Sequence, residues 1–455
     1  MPANDWISTE TSTNPVPPPP PDTARVFAIV APTAPAEVSA KVSSYSTLAE
    51  MADDGWGTGF AAYNAVARLL EQTPTDSAVS AVKVIKRETA VANEWTIDIE
   101  STEDGDHILL IGGVVAATFN ASGSTATQIK DGLETAFNLG PFATTQTAAT
   151  VDTDTLSLTA DVAGIPFTPS VIVPSGTPHT VTETIANVGI YDDLEAAYPL
   201  APFWGVLTPA ALDVEIDEAR RWVQADTATR RCFLFGENSD AGVYDDGDTD
   251  NLAVLWATAK HPRVNLLSHP ISTDYMQAAA IGRLGGQYPG RRAWHYIALA
   301  GSVETTITAN RSSGETATMR ARKVSYTERL YGPLSDLLLL GGYTPSGQFI
   351  YQRWAEDQWW YVIRATVDAA MKANAGVDLD LEGLQAVVDL VSQAMVPMVT
   401  EGTIGADFIV SHNFADVPAG EIAVGDFKTT GRILAEATIT PKLRSMRTRA
   451  EFDLV

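Results

Sequence analysis

The sequence predicts an α/β (α+β) core with a mainly parallel sheet flanked by helices, an inserted β-rich domain, and extended arms at both ends. Three observations predict it. Residues 190–301 alternate continuous apolar strands (FWGVL at 203–207, RCFLF at 231–235, RVNLLS at 263–268, WHYIALA at 294–300) with helical-period segments. Strands that are apolar on both faces and joined by helical crossovers belong to a sheet covered on both sides. Residues 88–184 differ in kind: thirteen acidic residues face the single basic Lys130, a net of −12, and Thr is frequent. The two ends depart from globular composition altogether. The expected organisation is an N-terminal arm at 1–24, a discontinuous core at 25–87 and 185–427, an inserted acidic domain at 88–184, and a C-terminal strand arm at 428–455.

Taken in order, residues 1–24 cannot build a core. The prolines from Pro17 to Pro21 form a stiff polyproline spacer. Ahead of them, Trp6 and Ile7 read either as part of a disordered tail or as an arm that orders on a neighbouring subunit. The core opens with a buried strand at 25–30, helices at 45–52 and 59–72 (Phe60, Tyr63, Val66, Ala67 and Leu70 on one face), and a strand at 79–86. Within 88–184, strands are expected at 95–99, 107–111, 114–119, 146–151, 155–161, 170–173 and 179–185. A helix starts after Thr125, where Thr125-x-x-Gln128 is a capping box and Ile129, Leu133 and Phe137 share a face.

Returning to the core, Thr208-Pro209 reads as an N-cap and first helical residue, with the helix running to 225. Further helices are expected at 250–260 and 273–285. Residues 302–330 carry Arg311, Arg320, Arg322, Lys323 and Arg329 and read as a loop or irregular hairpin. The patch is either a solvated face, the commoner fate of charge runs, or a basic surface meeting an acidic neighbour. Next come an apolar run at 337–340, Gly341-Gly342, a turn at 345–347 and a short strand at 349–351. Two helices follow. In the first, at 354–372, Trp354, Trp359, Val362, Ile363, Thr366 and Ala369 share a side. In the second, at 380–400, Leu381, Leu384, Val388, Val391, Met395 and Val399 form the stripe, Asp378 or Asp380 caps the start and Gly402 ends it. Of the adjacent Trp359 and Trp360, one is expected in the core and the other at a boundary or interface.

Composition excludes several function classes. A net charge of −26 repels nucleic acid and anionic membrane, so neither is an expected partner. No apolar run approaches a membrane span, and the N-terminus has neither the basic nor the apolar region of a secretory signal, so folding in a bacterial cytoplasm is expected. The lone Cys232 cannot form an intramolecular disulfide and reads as a small buried hydrophobe. The glycines at 55, 57 and 59 lack the Lys-Ser/Thr of a phosphate loop. His107, His179, His261, His269, His295 and His412 have no metal spacing. Asp246-x-Asp248-x-Asp250 opens like a calcium loop but meets Asn251 and Ala257 where Gly and Glu are required. No catalytic set, cofactor site or metal site is expected.

The ends carry more. The arm 1–24 has Asp5, Glu10 and Asp22 and no basic residue; segment 428–455 has six basic residues against three acidic, a net of +3. An acidic extended arm and a basic strand can join by β-augmentation. If they come from different subunits, the contact is head-to-tail and propagates into a helical assembly. The residues expected at such an interface are Trp6, Ile7, Arg432, Ile439, Lys442, Arg444, Arg447, Arg449 and Phe452.

The order of TPSGQFIYQR (344–353), the helices 354–372 and 380–400, EGTI (401–404) and RILAEATITPKLRSMRTRAEFDLV (432–455) resembles the C-terminal core of bacteriophage contractile-tail sheath proteins. The resemblance covers about three quarters of the chain by element order. The chain departs from the family where Leu340-Gly341-Gly342 replaces an Asn-Tyr pair before the turn, and where 374–377 lacks a Lys-Ile-Pro-Tyr-Thr-like segment. The resemblance implies a non-enzymatic virion subunit that is assembled in the host cytoplasm and stacks as rings. Its implied partners are itself, the inner tail tube protein, and baseplate and tail terminator proteins, with Arg311, Arg320, Arg322 and Arg329 facing the tube or a neighbouring subunit. Another self-assembling virion or surface-layer protein is the alternative, and an α/β enzyme a weaker one.

Overall fold

Phe27–Ala31 (β1) is buried at every position, as the centre of a sheet covered on both faces requires. The computed structural model describes residues 26–412, 432–439 and 446–453 apart from 73–78, 80, 226–230, 239–242, 244, 246, 270, 287–292, 300–311, 329–337 and 374–380. The chain divides into two units, Met1–Lys86 with Ala197–Ile216 and Arg220–Val455, and Arg87–Ala196 with Asp217–Ala219.

In the first unit, β1 is followed by β2 (Val42–Tyr45), α1 (Leu48–Asp53), α2 (Ala61–Leu70) and β3 (Val82–Lys86). The expected helix from residue 45 therefore starts later. Val42–Tyr45 pairs antiparallel with β3, and Thr47 with Glu50 caps α1 reciprocally. Helix α2 buries Ala62, Ala65, Val66 and Leu69 fully, while Phe60, Tyr63 and Leu70 of the expected face pack against the same core partly buried.

The second unit holds β4 (Glu94–Asp98), β5 (Gly105–Ile111), β6 (Val114–Ala121), α3 (Ala126–Asn138), β7 (Gln146–Thr150), β8 (Thr155–Ala160), β9 (Pro169–Ile172), β10 (Thr180–Ile185) and most of α4 (Ile190–Ala197). Its strands form two sheets, ordered β10-β4-β8-β7 and β6-β5-β9. The Thr125–Gln128 capping box is present, and Ile129, Leu133 and Phe137 of α3 are fully buried against Ile97, Leu109, Leu156 and Leu158.

The first unit resumes with β11 (Gly205–Leu207), α5 (Asp213–Ala225), β12 (Phe233–Asn238), α6 (Leu252–Ala259), β13 (Val264–Ser268), α7 (Met276–Leu284), β14 (Ile297–Ala298), α8 (Ser313–Ala321), β15 (Ser325–Glu328), β16 (Leu338–Leu340), α9 (Ile350–Ala373), α10 (Leu381–Thr400), β17 (Ile409–His412), β18 (Arg432–Ile439) and β19 (Met446–Asp453). The large sheet runs β14-β16-β15-β13-β12-β11-β1-β3-β2. Its centre, from β15 to β3, is parallel, and both margins are antiparallel, so the sheet is mixed. Phe27, Ile29, Phe233 and Phe235 face the cluster that includes α2, α7 and α9. On the other side, a Cβ added to Gly236 would meet Ile216 of α5 and Trp256 of α6.

Several local expectations give way. Thr208-Pro209 makes a turn (Ala211 N–H to Thr208 O, 3.3 Å) with Ala210 at φ 55°. Helix α5 begins only at Asp213, where the Glu215 carboxylate accepts from Leu212 N–H at 2.9 Å. Asn251, at the position where a calcium loop needs glycine, instead caps α6, its side chain accepting from Val254 N–H at 3.1 Å. Where 302–330 is described, at 312–328, it is helix and strand rather than a loop or hairpin: Ser312 and Glu315 form a capping box that starts α8, and β15 follows. Ile350 and Tyr351 open α9 rather than a strand, leaving Phe349 as a single bridge to Tyr343.

Both Trp359 and Trp360 are buried, because the Arg231 guanidinium covers Trp360 at 4.4 Å; Ala369, expected inward, is exposed. Helix α10 buries Leu384, Val388, Val391 and Met395 as its period predicts. At its end Gly402, at φ 76°, places the Thr403 N–H 2.8 Å from Met398 O. Asp378 and Asp380 lie outside the described residues. By length and composition, Gly383–Thr400 is apolar enough to cross a membrane, contrary to the run-length reading, but its apolar stripe is spent on the core.

Candidate assembly interface

Two places in the first unit gather the residues singled out in the sequence. The first is the C-terminal sheet. Strands β17, β18 and β19 pair antiparallel in that order, so Arg432–Ile439 and Met446–Asp453 form a two-stranded ribbon against Ile409–His412. Arg432 lies opposite Asp453, Ile433 opposite Phe452, Glu436 opposite Arg449, Thr438 opposite Arg447, and Ile439 opposite Met446. Strand β19 is at the edge of this sheet among the described residues. The edge row of a strand is a template for a further strand. Trp6, Ile7, Lys442 and Arg444 lie outside the described residues.

The second place surrounds the end of α8. Arg320 is exposed, and its Nε donates to the Tyr326 hydroxyl at 3.3 Å. Arg322, expected among the outward cations, turns into its own chain. It donates to the carbonyls of Val243 (2.8 Å), Asp245 (2.6 Å) and Asp248 (2.7 Å), clamping the acidic loop before α6. Arg311 and Arg329 lie outside the described residues, as does Asp246 of the loop. Beyond α8 the backbone is unusual. Lys323 sits at φ 59° and Tyr296 at φ 56°, with Gly341 and Gly342 between them in space at φ 102° and 74°. Gly341 N–H donates to His295 Nδ1 and Gly342 N–H to Ser325 Oγ, both at 2.9 Å. Burial, and next the Arg320 charge, push the His295 imidazole down. A cavity of about 340 Å³ opens among His295, Tyr296, Arg320, Lys323, Tyr326 and Tyr343.

Sequence spacing missed the buried polar sets, because their members come from distant strands. Asp357 of α9, fully buried, receives Arg263 at 2.8 and 2.7 Å, Trp204 Nε1 at 3.0 Å and Arg231 at 3.6 Å. At the carboxyl ends of the parallel strands, His269 bonds Thr327 Oγ1 (2.6 Å) and Asp274 Oδ2 (3.1 Å). That is the connectivity of a nucleophile–base–acid relay. Thr327 and His269 are fully buried, and the set ties β13 to β15. Nearby, burial pushes the Glu237 carboxyl up to about 8. In the second unit His107 and His179 stack, Nδ1 to Nε2 at 3.0 Å. Among the described residues no group of three metal-ligating side chains occurs. Cys232 is buried, its Sγ 3.3 Å from the Phe203 carbonyl.

Among the described residues the first unit is a mixed α/β core with β19 at the edge of its C-terminal sheet. The structural neighbours are contractile-tail proteins. A sheath tail protein from Listeria innocua aligns over 94% of this chain and 95% of its own, with 9% identity and a TM-score of 0.50. The chain thus has the fold of a tail sheath protein. Two looser likenesses are the baseplate of the anti-feeding prophage (57% of this chain, 68% of the other, 8% identity, TM-score 0.39) and the contracted sheath complex of an extracellular contractile injection system (58% and 70%, 9%, 0.39). No family model and no curated protein matches the sequence.

Proposed function

We propose that this chain is the structural subunit of a contractile tail sheath, stacking as rings around an inner tail tube and contracting to drive the tube through a host envelope. One observation carries the reading: the fold likeness to a sheath tail protein over nearly the whole of both chains. The edge position of β19 supports it, because a strand added there joins one subunit to the next and the repeated head-to-tail contact builds a helix. Residues 1–24, acidic and proline-stiffened, are the proposed added strand; 428–455 receives it; and 88–184 is the proposed outer insertion. The partners are further copies, the inner tube protein, and baseplate and terminator proteins, and the site of action is the virion. The energy of contraction is stored in the lattice at assembly, so no nucleotide is required.

The test is negative-stain electron microscopy of the purified chain, alone and with inner tube. Striated tubes or stacked rings are expected, and deletion of residues 1–22 should abolish them while leaving the fold intact. Monomers under both conditions overturn the reading.

A further inference from the structure

The cavity beside α8 gathers cations and hydrogen-bond donors around left-handed backbone. Lys323, at φ 59°, lines it as the left-handed residue that closes α8, with Lys323 N–H on Arg320 O at 3.2 Å and Val324 N–H on Met319 O at 3.0 Å; Tyr296, at φ 56°, lines it without such a helix end, and Gly341 completes the lining. A bulky residue in the left-handed region outside a helix end is strained and persists where the surroundings impose it, most often at binding sites. Tyr296 is also 59% exposed, so the strain is not offset by burying its ring. A Cβ on Gly341 would come within 2.8 Å of Ser325 Cα, and on Gly342 within 2.1 Å of the Trp294 carbonyl oxygen. The wall is therefore closed to any side chain.

The polar groups agree in sign. Arg320 and Lys323 bring two cations; the Lys323 ammonium lies 5.8 Å from the Tyr343 ring centroid. His295 Nδ1 accepts from Gly341 N–H, so the proton of the neutral ring sits on Nε2, and this second nitrogen is a donor in either charge state. The phenols of Tyr296, Tyr326 and Tyr343 are further donors. Glu328, whose charge is felt at Arg320, is the acidic counterweight and does not line the cavity. Donors and cations around an aromatic rim take an anion, and a flat, singly charged one fits better than a bulky polyanion in the field of a chain of net −26. Copies of so acidic a chain repel one another, and local contacts of opposite sign are what a lattice of them needs.

We propose that this cavity is a receptor for a carboxylate side chain presented by a neighbouring copy of the chain. The proposal rests on the sheath reading and locates one of its lattice contacts. Two measurements test it. In the first, acetate is titrated at constant ionic strength into the ring-labelled full chain, with chloride as control. His295 is expected to shift in the native chain and not in Arg320→Ala/Lys323→Ala. In the second, Arg320→Glu/Lys323→Glu is expected to raise the critical concentration for tube formation by about tenfold or more, with an unchanged melting temperature. An acetate response with unaltered assembly assigns the cavity to free small anions and overturns the subunit contact. No acetate response overturns the site itself. A native chain that binds acetate yet never assembles, with or without tube, overturns the sheath reading and the neighbouring source together.

Discussion

Arg263 grips Asp357 with both terminal nitrogens, at 2.8 and 2.7 Å, and neither side chain reaches water. The pair joins the start of β13 to the middle of α9, with Trp204 donating to the same carboxylate. Asp357→Ala strands two guanidiniums, Arg263 and Arg231, in the interior. The expected loss is about 3–5 kcal/mol, read as a lower urea midpoint. Burial alone would push the Asp357 carboxyl up, but Arg263 and then Arg231 outweigh it and hold it below the ordinary carboxylate range. The contribution is therefore full above the unfolded carboxyl's titration and is lost as pH falls through the lower folded one. Acid unfolding should steepen there in the native chain and flatten in the variant.

Glu237 has the opposite sign. It accepts from the Met276 and Gln277 N–H groups at 3.2 and 3.4 Å, yet burial raises it from 4.5 to about 8. Between those values the folded chain keeps a proton that the unfolded chain has released, so stability falls as pH rises and levels off above about 8. Glu237→Gln retains an acceptor and should remove this fall, measured as the pH dependence of the melting temperature from 5 to 9 (~4 units, spanning the window).

His179 should titrate near 4, pushed down by burial and then by the His107 charge. Its Nδ1 accepts the Glu100 and Ser101 N–H groups, and its Nε2 faces His107. Unfolded histidine binds its proton near 6.5, so the second unit should lose stability as pH drops from there to about 4. A ring-proton titration with a midpoint near 6.5 in the folded chain would contradict the buried pair.

Gly342→Ala puts a methyl 2.1 Å from the Trp294 carbonyl at φ 74°. The expected loss exceeds roughly 1 kcal/mol, seen as a lower melting temperature. At Gly347, also at positive φ but with open space around it, the same change should cost less.

Arg322→Ala removes the donor that holds three carbonyls of the loop at 243–248. Limited proteolysis is expected to cut there faster, with assembly unchanged. The outward neighbour Arg320 should behave the other way round.

What the sequence made legible was periodic or carried its own signal. Thr125-x-x-Gln128, the α10 stripe and the Gly402 stop are local, and local physics writes them where they occur. Helix α8 carries an equally local signal in Ser312-x-x-Glu315, set among arginines whose charge alone does not distinguish helix from loop. Phe349–Tyr351 failed for a different reason: a short apolar run has no period, so strand and buried helix start look alike. The candidate cavity and the Asp357 set were not legible at all. Their members are joined by strand register across the sheet, and register is a property of the folded chain.

The centre of the large sheet sets a schedule as well as a shape. Phe27 of β1 lies opposite both Val82 and Gly205, so the first strand made acquires its second neighbour only after the whole 87–196 unit has been synthesised. At ribosomal speeds the stretch from Lys86 to Gly205 takes on the order of ten seconds. Throughout that interval β1 presents a sticky, half-built edge to every nascent neighbour on the same message. The chain gains from anything that shortens this wait. Slow codons within the second unit should therefore lower soluble yield more than the same codons placed after β13.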